Sequence, residues 1–187
     1  MQLYALCDQS SLDSRNLSLQ DFVHLAKKYN AEIIQYRNKD ADTETIKASL
    51  IELRALWNGF LIVNDKVELV SLCDGVHMGQ EDLEAIDADI EYAVIKIRET
   101  IGKEKLLGIS THNENEVLRA NKMDLNYIGL GAFKQTSTKN VTNLLGDTLD
   151  EIAEKSTHKV AAIGGVKLDD TFKNVSYLVI GTGLYES

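Results

Sequence analysis

The side chains of Asp65, Asp82, Arg37, Lys39 and Lys139 have the types and spacing of a site for a metal-bound diphosphate. An apolar run, Phe60 to Val63, ends in Asn64-Asp65, and a second, around Gly75 to Met78, ends in Gly79-Gln80-Glu81-Asp82. If these runs are neighbouring strands of a parallel sheet, their C-terminal ends share one face. Two carboxylates meeting there suit a single hard cation such as Mg²⁺, which takes one or two carboxylates plus a substrate phosphate. Arg37 and Lys39 stand at alternate positions of another strand end and so project to one side of an extended tip, as a pyrophosphate requires. Lys139 can add a third cation. Each segment also has a plainer use: Arg37 and Lys39 as partners of surface acids, Asn64-Asp65 as a turn, Glu81-Asp82 as a helix cap. Their convergence on one predicted mouth makes the metal-diphosphate reading the better one.

Gly164-Gly165 and Gly181-Thr182-Gly183 offer backbone N–H groups to a second anion, at the place where barrels bind phosphate between the loops after strands seven and eight. His112 follows a strand and can exchange a proton, although a histidine beside a helix start is more often structural. His24, His77 and His158 have no ligand spacing to one another or to a cysteine, so no zinc site is read from them. Cys7 and Cys73 fall within apolar strand-like runs and read as buried small hydrophobes in a reducing compartment.

The elements that must position these groups alternate along the chain. Strand patterns occur at Leu3 to Cys7, Ile33 to Arg37, the two runs above, Leu106 to Ser110, Tyr127 to Phe133, Lys159 to Ile163 and Tyr177 to Ile180. Helical spacing links Leu19, Phe22, Val23 and Ala26 behind the capping pair Ser18 and Asp21. It links Ile46, Leu50, Leu53 and Trp57, and then Ile90, Ala93, Val94, Ile97 and Ile101 before Gly102. Asn113 with Glu116, and Asp147, open two further helices. Between the two strands of the carboxylate pair only Lys66 to Leu72 can be helical. Lys134 to Asn143 reads as a polar, mobile loop. Strands alternating with helices, with no linker and no break in composition, predict one domain over residues 1–187, a closed (β/α)₈ TIM barrel in preference to an open doubly wound sheet.

Bulk properties agree. The chain of 187 residues is 44% hydrophobic and 26% charged, enough for one full core. Its net charge of −9 argues against nucleic-acid and anionic-membrane partners. No apolar run approaches a membrane span, and the N-terminus lacks the pattern of a signal peptide, so a cytoplasmic location is expected.

Taken together, QYRNK (Gln35 to Lys39), IVND (Ile62 to Asp65), DGVHMGQEDL (Asp74 to Leu83), GISTHNENE (Gly108 to Glu116), YIGLG with TSTK (Tyr127 to Lys139) and AIGG (Ala162 to Gly165) resemble the thiamine-phosphate synthase family. The resemblance implies a transferase that condenses hydroxymethylpyrimidine diphosphate with a thiazole phosphate and releases pyrophosphate. By position it assigns Mg²⁺ to Asp65 and Asp82. It assigns the diphosphate to Gln35, Arg37, Lys39, Asn64 and Lys139, and the pyrimidine to Ser110. Thr136, Ser137, Thr138, Gly165, Gly181 and Thr182 would surround the thiazole phosphate.

The thiazole tautomerase of the same superfamily is the alternative activity, with His112 as its acid-base group. A non-catalytic paralogue that binds a phosphorylated thiazole or thiamine phosphate is the second alternative. Departures from the family pattern are the loop Ala132-Phe133-Lys134-Gln135 before Thr136, the segment Ile180-Gly181-Thr182-Gly183, and a chain that ends at Ser187 without a closing eighth helix. Such a shortened barrel would expose apolar strand surface, and a homodimer that covers it is expected.

Overall fold

The computed structural model describes residues 1–135 and 144–185. Eight strands, β1 (Gln2–Asp8), β2 (Ala31–Arg37), β3 (Phe60–Asn64), β4 (Gly75–Met78), β5 (Leu106–Thr111), β6 (Tyr127–Leu130), β7 (Lys159–Ala162) and β8 (Tyr177–Ile180), pair in chain order, and β8 pairs with β1. Every pairing is parallel. The result is the expected closed barrel, with all strand C-terminal ends at one mouth.

The helices are α1 (Gln9–Asp13), α2 (Leu19–Lys28), α3 (Thr43–Leu56), α4 (Gln80–Ile86), α5 (Ile90–Ile101), α6 (Glu114–Ala120) and α7 (Thr148–Ala153). Short 3₁₀ turns form at Val67–Leu72 and Thr182–Leu184. Ser18 and Asp21 make the reciprocal capping box before α2, and Asn113 accepts from the Glu116 N–H before α6. Within Lys66 to Leu72 the chain is helical as a 3₁₀ turn over Val67–Leu72, with Lys66 at its N-cap. Between β7 and β8 the described residues form no helix.

The elements differ from the sequence reading in instructive ways. Strand β6 stops at Leu130 instead of Phe133. Trp57 keeps the helical spacing of α3 but is its extended C-cap; its indole is buried and donates to the Phe60 carbonyl at 3.0 Å. Asp147 stands at the start of α7 without a side-chain capping bond. Helices α1 and α4 carry no long apolar stripe, since each is only a turn or two. Asp8 caps α1 by accepting from the Ser11 N–H.

Two cores result. Tyr4, Ile33, Ile62, Tyr127, Ala161, Tyr177 and Val179 fill the barrel interior, and a larger cluster lies between the strands and their helices. Cys7 and Cys73 are free and buried within the larger cluster. Strand β8 is buried on both sides: Tyr177 and Val179 face inward, and Leu178 and Ile180 are 7% and 1% exposed. The 3₁₀ turn after it buries Leu184, and Tyr185 packs against Phe22 of α2 with its ring centroid 6.2 Å away. Among the described residues, the apolar side chains of strand eight are thus buried within the chain.

Burial of β8 makes a measurable demand. Ile180→Ala should lower the unfolding free energy by about 2–5 kcal/mol, the cost of a cavity in a packed core. Urea denaturation checks it; a loss within about 0.5 kcal/mol, as at an ordinary surface position, would mean that strand eight is open to solvent.

Candidate active site

The mouth is built from the strand ends in chain order. Asp8, the last residue of β1, is 3% exposed. It forms an ion pair with Arg37, the last residue of β2, and also accepts from the hydroxyls of Ser10 and Ser11. The β1–β2 register sets Asp8 directly opposite Arg37. Burial alone would raise the Asp8 carboxyl, but the bonds from Ser10 and Arg37 and the charge of Arg37 outweigh it and hold the group below its ordinary value. The sequence reading missed Asp8. The available signal was an acid directly after the first apolar run, at the same strand-end position as Arg37.

Arg37 and Lys39 do not share one direction. Strand β2 ends at Arg37, which leans to β1, whereas Lys39 stands in a bend beyond it, exposed. The charge of Lys39 acts on Asp65. The two cations thus flank the mouth from its two sides.

A side-chain relay leads from the barrel wall to the carboxylate pair. Gln35, 4% exposed, donates through Nε2 to Asn64 Oδ1 at 3.0 Å, and Asn64 Nδ2 donates to Asp65 Oδ2. The Gly79 N–H donates to Asp65 Oδ1 at 2.9 Å. Asp65 has φ 60°, a left-handed conformation that aspartate tolerates better than most residues. Asp82 is not at a strand tip but in the first turn of α4. Both carboxylates nevertheless converge on Gly79: a Cβ there would stand 2.9 Å from Asp82 Oδ2 and 3.7 Å from Asp65 Oδ1. Burial pushes the Asp65 carboxyl up, and the charge of Asp82 adds to it against the lowering effect of the Gly79 N–H and Lys39.

Two acids crowded in this way are a pair that a cation relieves. Among the described residues no cluster of three or more metal-ligating side chains occurs. The donor set therefore suits Mg²⁺ completed by substrate phosphate and water, and not a metal held in an all-protein cage.

Ser110 faces the mouth from β5 and bonds to His77, an inward-facing residue of β4, at 3.0 Å from His77 Nε2. Burial lowers the His77 imidazole to about 4, so the ring is neutral at physiological pH. Gln80 spans the gap above them by donating to the Ser110 carbonyl and accepting from Arg119 at 3.3 Å.

His112 has a different setting. Its Nδ1 lies 3.0 Å from Glu116 Oε2, and its backbone N–H donates to that same oxygen. Burial would raise Glu116, but the bonds from His112 outweigh it. The pair clamps the start of α6.

The loops after β7 and β8 meet on the far side of the mouth. Gly164 and Gly165 have φ of 86° and 66°, which favours glycine, and a Cβ on Gly165 would stand 2.8 Å from the Gln135 carbonyl oxygen. This turn is bound to the unusual loop, because Phe133 N donates to Ile163 O and Lys134 N to Gly164 O. Phe133 stacks edge-on against Phe172, with centroids 5.0 Å apart, and Lys134 pairs with Asp170 at 3.0 Å. Gly181 and Thr182 open the final 3₁₀ turn. Thr136, Ser137, Thr138 and Lys139 lie outside the described residues.

The sequence and the fold match known proteins. The family model for thiamine monophosphate synthase matches residues 3–176. A thiamine-phosphate synthase from Lawsonia intracellularis is 36% identical over 172 residues, covering 88% of this chain and 74% of that protein. One from Clostridium acetobutylicum is 30% identical, covering 98% and 82%. The solved structure of thiamine phosphate pyrophosphorylase from Pyrococcus furiosus superposes with a TM-score of 0.78 at 24% identity, over 97% of this chain and 87% of that one.

The Asp8–Arg37 pair sets a pH test. A carboxyl held below its unfolded value contributes stability that is present above the unfolded value of about 3.9 and is lost as pH falls through the folded one. Asp8→Asn should therefore cost about 1.5–3 kcal/mol at pH 7, the worth of hydrogen bonds to a charged group. The gap to the unaltered protein should narrow below about pH 4. Urea denaturation at pH 7 and pH 3 checks it; an equal gap at both would show that the charge of Asp8 contributes nothing.

Proposed function

The chain belongs to the thiamine monophosphate synthase family, and we propose on that premise that it is a transferase joining a pyrimidine, carried as hydroxymethylpyrimidine diphosphate, to a thiazole phosphate with release of pyrophosphate. The observation that carries the reading is the convergence of the Gln35–Asn64–Asp65 relay with Asp82 at a mouth flanked by Arg37 and Lys39. Two crowded carboxylates facing cations suit a metal-bound diphosphate. A diphosphate leaving group uses both.

The bond that breaks joins the pyrimidine methylene to a diphosphate oxygen, and its electron pair leaves with the diphosphate. The bond that forms joins the same carbon to the thiazole nitrogen, whose lone pair supplies it. No side chain need act as a nucleophile. Mg²⁺ held by Asp65 and Asp82 would neutralise the charge gathering on the departing diphosphate. Arg37 adds fixed positive charge in an orientation imposed by Asp8, and Lys39 adds another from an exposed position. Gln35 and Asn64 orient Asp65 while binding diphosphate oxygens, and Lys139 belongs to this group by its place in the motif. Ser110 binds the pyrimidine. Gly165, Gly181 and Thr182, with Thr136, Ser137 and Thr138, receive the thiazole phosphate, so that the nitrogen meets the methylene in a site closed to water.

The relatives are named synthases, which does not favour the tautomerase alternative. Among the described residues no helix is long and apolar enough to cross a membrane.

Formation of thiamine phosphate from both substrates with Mg²⁺ is the direct test. Arg37→Ala and Asp65→Ala should each lower kcat/KM on the order of a hundredfold or more, as the loss of a group that stabilises developing charge does. The absence of product from the unaltered protein would refute the reading.

The metal has a separate readout. Asp65 is raised in the folded state, so its charge destabilises the fold as pH rises through the unfolded value and above it. Asp82→Asn should raise the Tm of the metal-free protein by about 2–4 °C for each kcal/mol of repulsion removed, and should abolish the gain in Tm that Mg²⁺ gives the unaltered protein. A Mg²⁺ gain that survives Asp82→Asn would exclude Asp82 as a ligand.

A further inference from the structure

The barrel contains a buried polar chain that the chemistry of diphosphate departure does not itself require. Tyr4 Oη lies 2.9 Å from Tyr127 Oη, Tyr127 Oη lies 3.1 Å from His77 Nδ1, and His77 Nε2 lies 3.0 Å from Ser110 Oγ. Tyr4, Tyr127 and His77 are 1%, 3% and 8% exposed, while Ser110 is half-buried at the mouth. The backbone makes room for it: a Cβ on Gly108 would stand 2.2 Å from Tyr127 Cζ, and one on Gly129 would stand 3.1 Å from His77 Cε1. In the space so left, the His77 and Tyr127 rings stack with centroids 5.5 Å apart and planes 26° from parallel.

Donor counting gives this chain a direction. A phenol or alcohol has one hydrogen to donate, and a neutral imidazole donates from one nitrogen and accepts at the other. Running outward, Tyr4 donates to Tyr127, Tyr127 donates to Nδ1, Nε2–H donates to Ser110 Oγ, and the hydrogen of Ser110 is free for a ligand. Running inward, Ser110 donates to Nε2, Nδ1–H donates to Tyr127, Tyr127 donates to Tyr4, and the hydrogen of Tyr4 is stranded. Among the described residues Tyr4 Oη has no other hydrogen-bond partner. A buried donor left unpaired disfavours the inward direction by about tenfold or more.

We propose that His77 is a positioning residue, which through this one-way chain presents Ser110 to the mouth as a hydrogen-bond donor and so selects a heteroaromatic ring with an acceptor nitrogen facing Ser110. The direction of the chain stands on the geometry alone. The identity of the ring as the pyrimidine of the diphosphate substrate rests on the transferase reading. Ser110 then donates to a ring nitrogen and does not accept from an amino substituent. A site built to donate in this way rejects a ring that lacks the acceptor, because the hydroxyl would be left unpaired.

The direction is read from the imidazole tautomer. Long-range proton–nitrogen correlation spectra of the nitrogen-15-labelled full chain distinguish Nε2–H from Nδ1–H, and loss of one signal set in His77→Gln identifies His77. The expected result is Nε2–H; Nδ1–H overturns the proposal whatever the protein catalyses.

The kinetic arm uses the KM for the pyrimidine diphosphate. His77→Leu should raise it on the order of tenfold, the worth of one hydrogen bond. His77→Gln, whose amide nitrogen can stand near the place of Nε2 and donate to Ser110, should recover most of the loss. His77→Leu should add little in a Ser110→Ala background. Equal losses for Leu and Gln in proteins of unaltered Tm, or additive losses with Ser110→Ala, would also overturn it. If the unaltered protein forms no thiamine phosphate, the transferase reading fails alone, and the tautomer still decides the direction.

Discussion

The pairing of β8 with β1 is the constraint on which the site depends. Gln2 to Ala5 run beside Tyr177 to Ile180, and this last ladder turns a row of parallel strands into a ring. Without it the strand ends would fan along an open edge, and the loops after β7 and β8 would lie far from Asp8. With it, groups from the strand ends face one volume, and Tyr4 of β1 stands at ring-contact distance from both Tyr127 of β6 and Tyr177 of β8. Among the described residues a 3₁₀ turn follows β8. The turn after that strand folds back, buries Leu184 and lays Tyr185 on Phe22, with Arg15 over the Tyr185 ring at 4.9 Å.

Within the ring two acids are treated in opposite ways. Asp8 receives hydrogen bonds from Ser10, Ser11 and Arg37, so its charge is compensated and serves to orient a cation. Asp65 receives the Gly79 N–H and the Asn64 amide, but it is crowded by Asp82 and partly desolvated. A compensated acid belongs to the scaffold, and an uncompensated one awaits a ligand. Two histidines near the mouth are both held by partners. His77 is buried, neutral and bonded at both nitrogens, whereas His112 is partly exposed and tied to Glu116.

At the opposite end of the barrel, where no chemistry is expected, Arg98 binds the carbonyls of Gly102, Lys105 and Asp124 and the side chain of Asn126. A buried arginine here ties together the chain entering β5 and the chain entering β6. It is a fastening of the kind that the N-terminal face of a barrel uses for stability.

Local chemistry was enough to read much of this. Apolar runs of strand length, the Ser18–Asp21 and Asn113–Glu116 caps and the glycine after α5 are governed by neighbours a few residues away, and the sequence alone determined the alternating elements, the barrel class and the polar strand ends. It also determined the residue types suited to a diphosphate. What only the tertiary structure decided depends on contacts distant in sequence. The register of β1 on β2 makes Asp8 the partner of Arg37. The turn at Gly79 lets Asp82, one turn into a helix, reach Asp65. The stacking space left by Gly108 and Gly129 lets Tyr4, Tyr127, His77 and Ser110 form one directed chain. Periodicity shows that a side chain faces inward, but closure of the barrel chooses which inward-facing side chains meet, because that choice is set by strand register and ring geometry and not by any local preference.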